Sequence, residues 1–168
     1  MIKQTYLNPL NYTYNKAHSG SHYLINGEES YCNYGQLCES IAKAYRGLYT
    51  GNNPTTPYWE GSDIEEISAS VKSRRASLGR SFGDTNNPNE AIRYFFKQVK
   101  SHMFIYVILN LKTQMVTEYI MTKSEFGRMI NHSIYRRYSP SSKNHKIELR
   151  LRTDSKAFIA WLDAQCAC

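Results

Sequence analysis

The pattern of hydrophobic and polar positions predicts an alternation of strands and helices. From His102 to Leu111 (HMFIYVILNL) the chain is apolar almost without interruption and rich in β-branched and aromatic residues. That composition predicts a strand buried on both faces, at the centre of a sheet. Lys112-Thr113-Gln114 turns into a second strand, Met115 to Met121. Thr122 and Glu125 have capping-box spacing, which predicts a helix to about Asn131. Gln36 to Leu48 carries an apolar stripe of Leu37, Ile41, Ala44, Tyr45 and Leu48 at helical spacing, with Asn33 placed to cap it. A further helix is predicted from Asn87-Pro88-Asn89-Glu90 to about Lys100, with Ala91, Ile92, Phe95, Phe96 and Val99 as its core stripe. Ile147 to Leu151 alternates as a short strand, and Thr153 or Asp154 caps a last helix with Phe158, Ile159, Trp161 and Leu162 on one side. Residues 1–33 are polar, weakly periodic and rich in Asn, Tyr, Ser and Gly. They read as an irregular arm with one short strand at His22 to Ile25, ahead of a single domain over 34–168.

Tyr58 to Leu78 (YWEGSDIEEISASVKSRRASL) is the stretch where pattern and chemistry meet. Tyr58 to Ile64 reads as one strand, with a turn in Asp63 to Glu66 and a second strand over Ile67 to Ser73. In the second strand Ile67, Ala69 and Val71 alternate with Glu66, Ser68, Ser70 and Lys72. One face suits a core; the other sets a carboxylate, two hydroxyls and an ammonium in a row. The bland account is a half-solvated antiparallel strand. The chemical account is a metal-dependent nuclease, in which acids hold a divalent cation and a lysine orients or activates water beside the phosphate. On the first helix, Glu39 and Lys43 read either as a surface i,i+4 ion pair or as a carboxylate aimed at this acidic cluster.

Charge shifts the balance toward a polyanionic partner. The net charge is +7, and basic residues cluster in two predicted loops. Arg74, Arg75 and Arg80 follow Lys72 in a long loop to Asn89, and Arg136, Arg137, Tyr138, Lys143 and Lys146 lie in a basic, aromatic loop over Ile134 to Lys146. Fourteen tyrosines serve an ordinary core equally well, or stack and hydrogen-bond on nucleic acid. The lack of a long apolar run and of an apolar leader implies no membrane span and a cytoplasmic location. Cys32, Cys38, Cys166 and Cys168 fit no common zinc spacing and read most simply as free thiols, the alternative being a zinc site that pins the C-terminus to the first helix. His18 and His22 are separated by Ser-Gly-Ser, which suits a loop better than a helical ligand pair.

The element order and the residues Gly35-Gln-Leu-Cys-Glu39, Glu60-Gly-Ser-Asp63 and Ser70-Val-Lys72 resemble the PD-(D/E)xK, or restriction-endonuclease-like, nuclease superfamily over about Gly35 to Leu111, small Type II restriction enzymes among them. The resemblance implies an α/β (α+β) fold with a central mixed sheet flanked by helices. It implies a Mg²⁺- or Mn²⁺-dependent endonuclease that hydrolyses double-stranded DNA, as a homodimer on two-fold symmetric sites. Asp63 would be the main metal ligand, Glu39 and Glu66 auxiliary ligands, and Lys72 the catalytic lysine. Arg74, Arg75 and Arg80, and the region of Arg136, Arg137, Tyr138, Lys143 and Lys146, would hold the DNA. Ser70 departs from the pattern, which has Glu or Asp two residues before the lysine. Either Glu66 or Glu39 makes up the lost charge, or the protein binds nucleic acid without cutting it. A toxin-type RNase, including a metal-free one using His102 and His132, is a further alternative. So is a basic interaction protein without nucleic acid.

Overall fold

A computed structural model describes residues 1–15, 22–27, 31–51, 62–73, 77–80, 93, 96–97, 99–138, 147–151 and 156–167. The central sheet has four strands in the order β1-β8-β7-β5. These are β1 (Ile2–Leu7), β5 (Ala69–Ser73), β7 (Met103–Leu109) and β8 (Met115–Thr122). β8 runs antiparallel to both β1 and β7, whereas β5 runs parallel to β7. The sheet is therefore mixed, and the helices α1 (Tyr34–Tyr45), α2 (Lys123–Ser133) and α3 (Lys156–Cys166) accompany it. β2 (Tyr12–Asn15), β3 (His22–Ile25) and β4 (Tyr31–Cys32) form one small antiparallel sheet, and β6 (Ser77–Arg80), β9 (Ile134–Tyr138) and β10 (Ile147–Leu151) another.

The long apolar run behaves as its composition demands. Phe104, Ile105, Tyr106 and Val107 are all buried. The strand period divides them between two cores. Ile105, Val107 and Leu109 join Leu37, Cys38, Ile41, Ala69 and Val71, on the side covered by α1. Phe104 and Tyr106 join Phe126, Met129, Phe158 and Leu162, from α2 and α3. Parallel pairing of β5 with β7 requires a crossover between them. Residues 93 and 96–97 are helical there, and Phe96 packs edge-to-face on Phe126. Val99 and Lys100 lie beyond the helical residues, and the helix start expected at 87–90 falls outside the described residues.

Local capping signals are satisfied. Asn33 Oδ1 accepts from Gln36 N at 2.8 Å while Asn33 N donates to Gln36 Oε1 at 3.0 Å, a full capping box at α1. Thr122 and Glu125 make the equivalent reciprocal pair at α2. The strand at His22–Ile25 is present.

Three expectations need correction. Ile2–Leu7 is not part of an irregular arm but an edge strand of the central sheet, and Tyr12–Asn15 is also a strand. Arg80 and Ile134–Tyr138, expected in loops, lie on strands β6 and β9. Ile64 and Ala69 bond each other through both backbone groups, so the chain between them must turn sharply. Glu65–Ile67 forms a 3-10 turn and Ser68 takes a left-handed conformation (φ 50°). The second strand therefore starts at Ala69, not Ile67, and Glu66 leaves the face that carries Ser70 and Lys72. Of the preceding strand expected over Tyr58 to Ile64, residues 62–64 are described, and among them Ile64 alone pairs, through this bridge.

β1 is fastened by a buried carboxylate. Glu118 on β8 has no exposure. It receives two bonds from Arg46, at 2.7 and 2.9 Å, one from Gln4 Nε2 at 2.7 Å and one from the Tyr6 hydroxyl. Tyr6 stacks on Tyr45, so β1, β8 and the end of α1 meet at one point. Removing one partner strands the other charge in the interior, at a typical cost of about 3–5 kcal/mol. Arg46→Ala and Glu118→Ala are expected to lose that much in urea unfolding. Lys3→Ala, which breaks the exposed Lys3–Asp163 pair, is expected to lose less than about 1 kcal/mol. Equal losses at the two sites would contradict this account.

Candidate functional site

Three of the side chains singled out by sequence converge where α1 faces the start and edge of β5. The buried face of α1 packs along β5. At the helix start, a Cβ added at Gly35 would meet the Asn33 and Ser73 side-chain oxygens at ordinary contact distances of 3.4 and 3.6 Å, and one turn on, Glu39 sits beside the strand. Asp63 immediately precedes the Ile64 bridge, and its Oδ2 accepts from Val71 N at 2.7 Å. The carboxylate thus caps a backbone donor on β5, next in sequence to Lys72. Lys43, one turn beyond Glu39, donates to Glu39 Oε1 at 3.1 Å and is itself buried.

These groups feel one another. The Glu39 carboxyl is raised above the ordinary glutamate range, first by burial and then by the Asp63 carboxylate, with Lys43 and Lys72 acting against the rise. Burial lowers Lys72 below the ordinary lysine range, opposed by Asp63 and Glu39. Two carboxylates and two ammonium groups therefore form one cluster in a poorly solvated place. Such coupling is a mark of functional sites, and of structural ion networks too. A cleft of about 200 Å³ opens on the cluster, lined by Lys43, Thr50, Ser62, Asp63, Glu65 and Glu66, with Leu48 as its apolar wall.

Ser70 has a different setting. It is buried, and its hydroxyl lies 2.6 Å from that of Ser101, which in turn lies 2.8 Å from Ser62. The position expected to carry a second acid is thus the inner end of a hydroxyl chain running to the residue before Asp63. Glu66 is exposed on the 3-10 turn and lines the cleft. Among the described residues, no three His, Cys, Asp or Glu side chains form a metal-binding group, so Glu66 does not complete one with Glu39 and Asp63. The donor set still suits magnesium, which uses one or two carboxylates and fills its shell with water and substrate phosphate. Asp63 keeps acceptor capacity beyond its bond to Val71.

Of the expected DNA contacts, Arg74, Arg75, Lys143 and Lys146 lie outside the described residues. The strand register sets Arg80 and Arg137 on either side of Glu148. Cys32 and Cys38 are buried free thiols, pushed up by burial to about 11 and about 12. They belong to the α1 core, whereas Cys166 packs on the other.

Lys43, Ser62 and Ser101 are the site residues that pattern reading did not select. Only Lys43 carried a signal, its i,i+4 spacing from Glu39, and that spacing is the same for a surface pair and for a buried one.

The raised Glu39 carboxyl gives a signed prediction for stability. Its folded-state pKa lies above the unfolded one, so stability is present below the unfolded value and is lost as pH rises through the folded value. In metal-free buffer the wild type is expected to gain stability relative to Glu39→Gln as pH falls from neutral toward about 4.5. Urea unfolding at several pH values reads the trend, and a gain in the opposite direction would overturn it. No family model, curated protein or solved structure matches the chain.

Proposed function

We propose that this protein is a magnesium-dependent endodeoxyribonuclease of the PD-(D/E)xK kind, acting on double-stranded DNA in the cytoplasm in the manner of a Type II restriction enzyme. The observation that carries the reading is the mutual proximity of Glu39, Asp63 and Lys72, with Asp63 and the Glu39 partner Lys43 on the wall of a cleft. Asp63 and Glu39 would hold the cation, with Glu66 on the same cleft wall as Asp63 as an auxiliary acid. When bound, such an ion supplies charge stabilisation at a phosphate oxygen and lowers the pKa of coordinated water. Asp63 is kept in place by Val71 N, while Glu39 is paired with Lys43 in the metal-free chain. Lys72 stands beside both carboxylates, and its depressed pKa lets it give up a proton more readily than a surface lysine. It can therefore orient the attacking water, or take its proton, without a large cost in charge separation. The chain's positive charge favours the DNA backbone, and a two-fold symmetric duplex site calls for a homodimer, with one active site per strand.

Ser70 supports a second reading, a non-catalytic DNA-binding protein on the same fold. Its hydroxyl is already engaged with Ser101 and brings no negative charge to the cation. The outcome separates on a gel with plasmid and phage DNA. For the nuclease, discrete fragments are expected with Mg²⁺ and none with EDTA. Asp63→Asn and Lys72→Met should each slow cleavage by at least about 10²-fold, the lower end of what positioned proton transfer contributes. DNA retarded but intact in Mg²⁺ would instead establish the binder. Cleavage at an unchanged rate in Lys72→Met would remove the catalytic assignment.

A further inference from the structure

We infer that Lys43 is an internal cation that occupies Glu39 until a divalent ion displaces it, and that it then serves the DNA phosphate in the same cleft. The inference rests on the nuclease reading for the identity of the ion and the ligand. Its own basis is the placement of one side chain. Lys43 is only 9% exposed, yet it lies on the wall of the cleft that holds Asp63 and Glu66. Its Nζ is 3.1 Å from Glu39 Oε1, and Lys72 stands within electrostatic reach of Glu39 and Asp63. The two carboxylates are therefore offset by two ammonium groups in the absence of metal. A buried lysine that loses its carboxylate must find another anion, because an unpaired interior charge is costly. The nearest open space is the cleft; its wall carries Asp63, Glu65 and Glu66, so a phosphate would enter it together with the divalent ion, and Lys43 is the cation on that wall that can pair with it.

Two consequences follow from this exchange. In the free protein a divalent ion competes with Lys43 for Glu39, so it binds weakly. With DNA present, the released ammonium has a phosphate to pair with, so the ion binds more tightly, and by linkage the ion tightens DNA binding by the same factor. Lys43 thus couples the two ligands and opposes loading of the site without substrate.

The test is calorimetric titration with Ca²⁺ as the non-turnover ion, on the full chain, with and without a short duplex. Lys43→Gln is expected to bind Ca²⁺ about tenfold more tightly than wild type when DNA is absent, equivalent to about 1.4 kcal/mol. Its enhancement by duplex should shrink by a similar factor. Lys43→Arg keeps the charge and should behave as wild type, which guards against a fold defect in Lys43→Gln; Glu39→Gln should weaken Ca²⁺ binding. Equal or weaker Ca²⁺ binding by Lys43→Gln in the absence of DNA, or an undiminished enhancement by duplex, would overturn the inference. Cleavage is scored separately. A Lys43 effect on Ca²⁺ without any Mg²⁺-dependent cleavage would sustain the exchange and remove the nuclease, and cleavage with no Lys43 effect would do the reverse.

Discussion

A buried carboxylate holds the architecture in register. Glu118 lies in the middle of β8, with no exposure, and receives donors from β1, through Gln4 and Tyr6, and from the end of α1, through Arg46. A charge in this position is tolerable only with every acceptor site engaged. The requirement fixes three elements at once. β1 must pair with β8 in the register that brings Gln4 opposite Glu118. α1 must end where Arg46 can reach down to the sheet, and Arg46 also bonds the carbonyl of Ala42 behind it. With its end fixed there and its buried face packed along β5, the helix has little freedom to slide. Glu39 and Lys43 lie within two turns of that anchor. The placement of the candidate site thus depends on a polar contact at the C-terminal end of the same helix.

That contact also explains why the first strand escaped the hydrophobic pattern. β1 turns Gln4 and Tyr6 inward and leaves Ile2 and Leu7 exposed. Its buried face is chosen for hydrogen bonds to a charge and not for apolarity, so a period-two search for hydrophobic residues finds nothing. The same logic holds for Ile134–Tyr138. Two consecutive arginines look like a loop, but a strand in a small sheet carries them, paired along β10. By contrast, β7, β8, β10 and the caps of α1 and α2 were legible because their signals are local. A continuous apolar run, a Thr-x-x-Glu spacing and an Asn ahead of a helical stripe each act within a few residues and need no knowledge of the rest of the chain.

The candidate site was legible in its residue types and less so in its geometry. Asp63, Lys72 and Glu39 could be selected because acids and a lysine occur at suggestive spacing. The alternating pattern runs back to Glu66, but the strand does not. The Ile64–Ala69 bridge forces a turn and a left-handed Ser68, and a tight hairpin of this kind without glycine has no sequence signature of the usual sort. In sequence, Ser70 is a departure that removes charge. The hydroxyl chain to Ser101 and Ser62 adds that the position is filled by a partner from across the fold. Ser101 lies in the connection before β7, and nothing near it in sequence points to Ser70.

Two carboxylates that meet α1, the buried Glu118 and the half-buried Glu39, differ in a way that bears on function. Glu118 has both oxygens committed, to a guanidinium that cannot lose its charge, an amide and a phenol. Such a group is structural, because exchanging any partner leaves an interior charge unmet. Glu39 has a lysine as its counter-ion, with a second carboxylate and a second lysine nearby and a cleft alongside. An ammonium on a flexible stem is a compact charge that can leave and be replaced. Burial destabilises the ionised form of Glu39 despite these lysines, so a stronger cation has something to gain there that it lacks at Glu118. The two sites use the same residue type on facing elements. What separates a structural acid from a ligand-binding one here is whether its counter-charge is fixed or exchangeable.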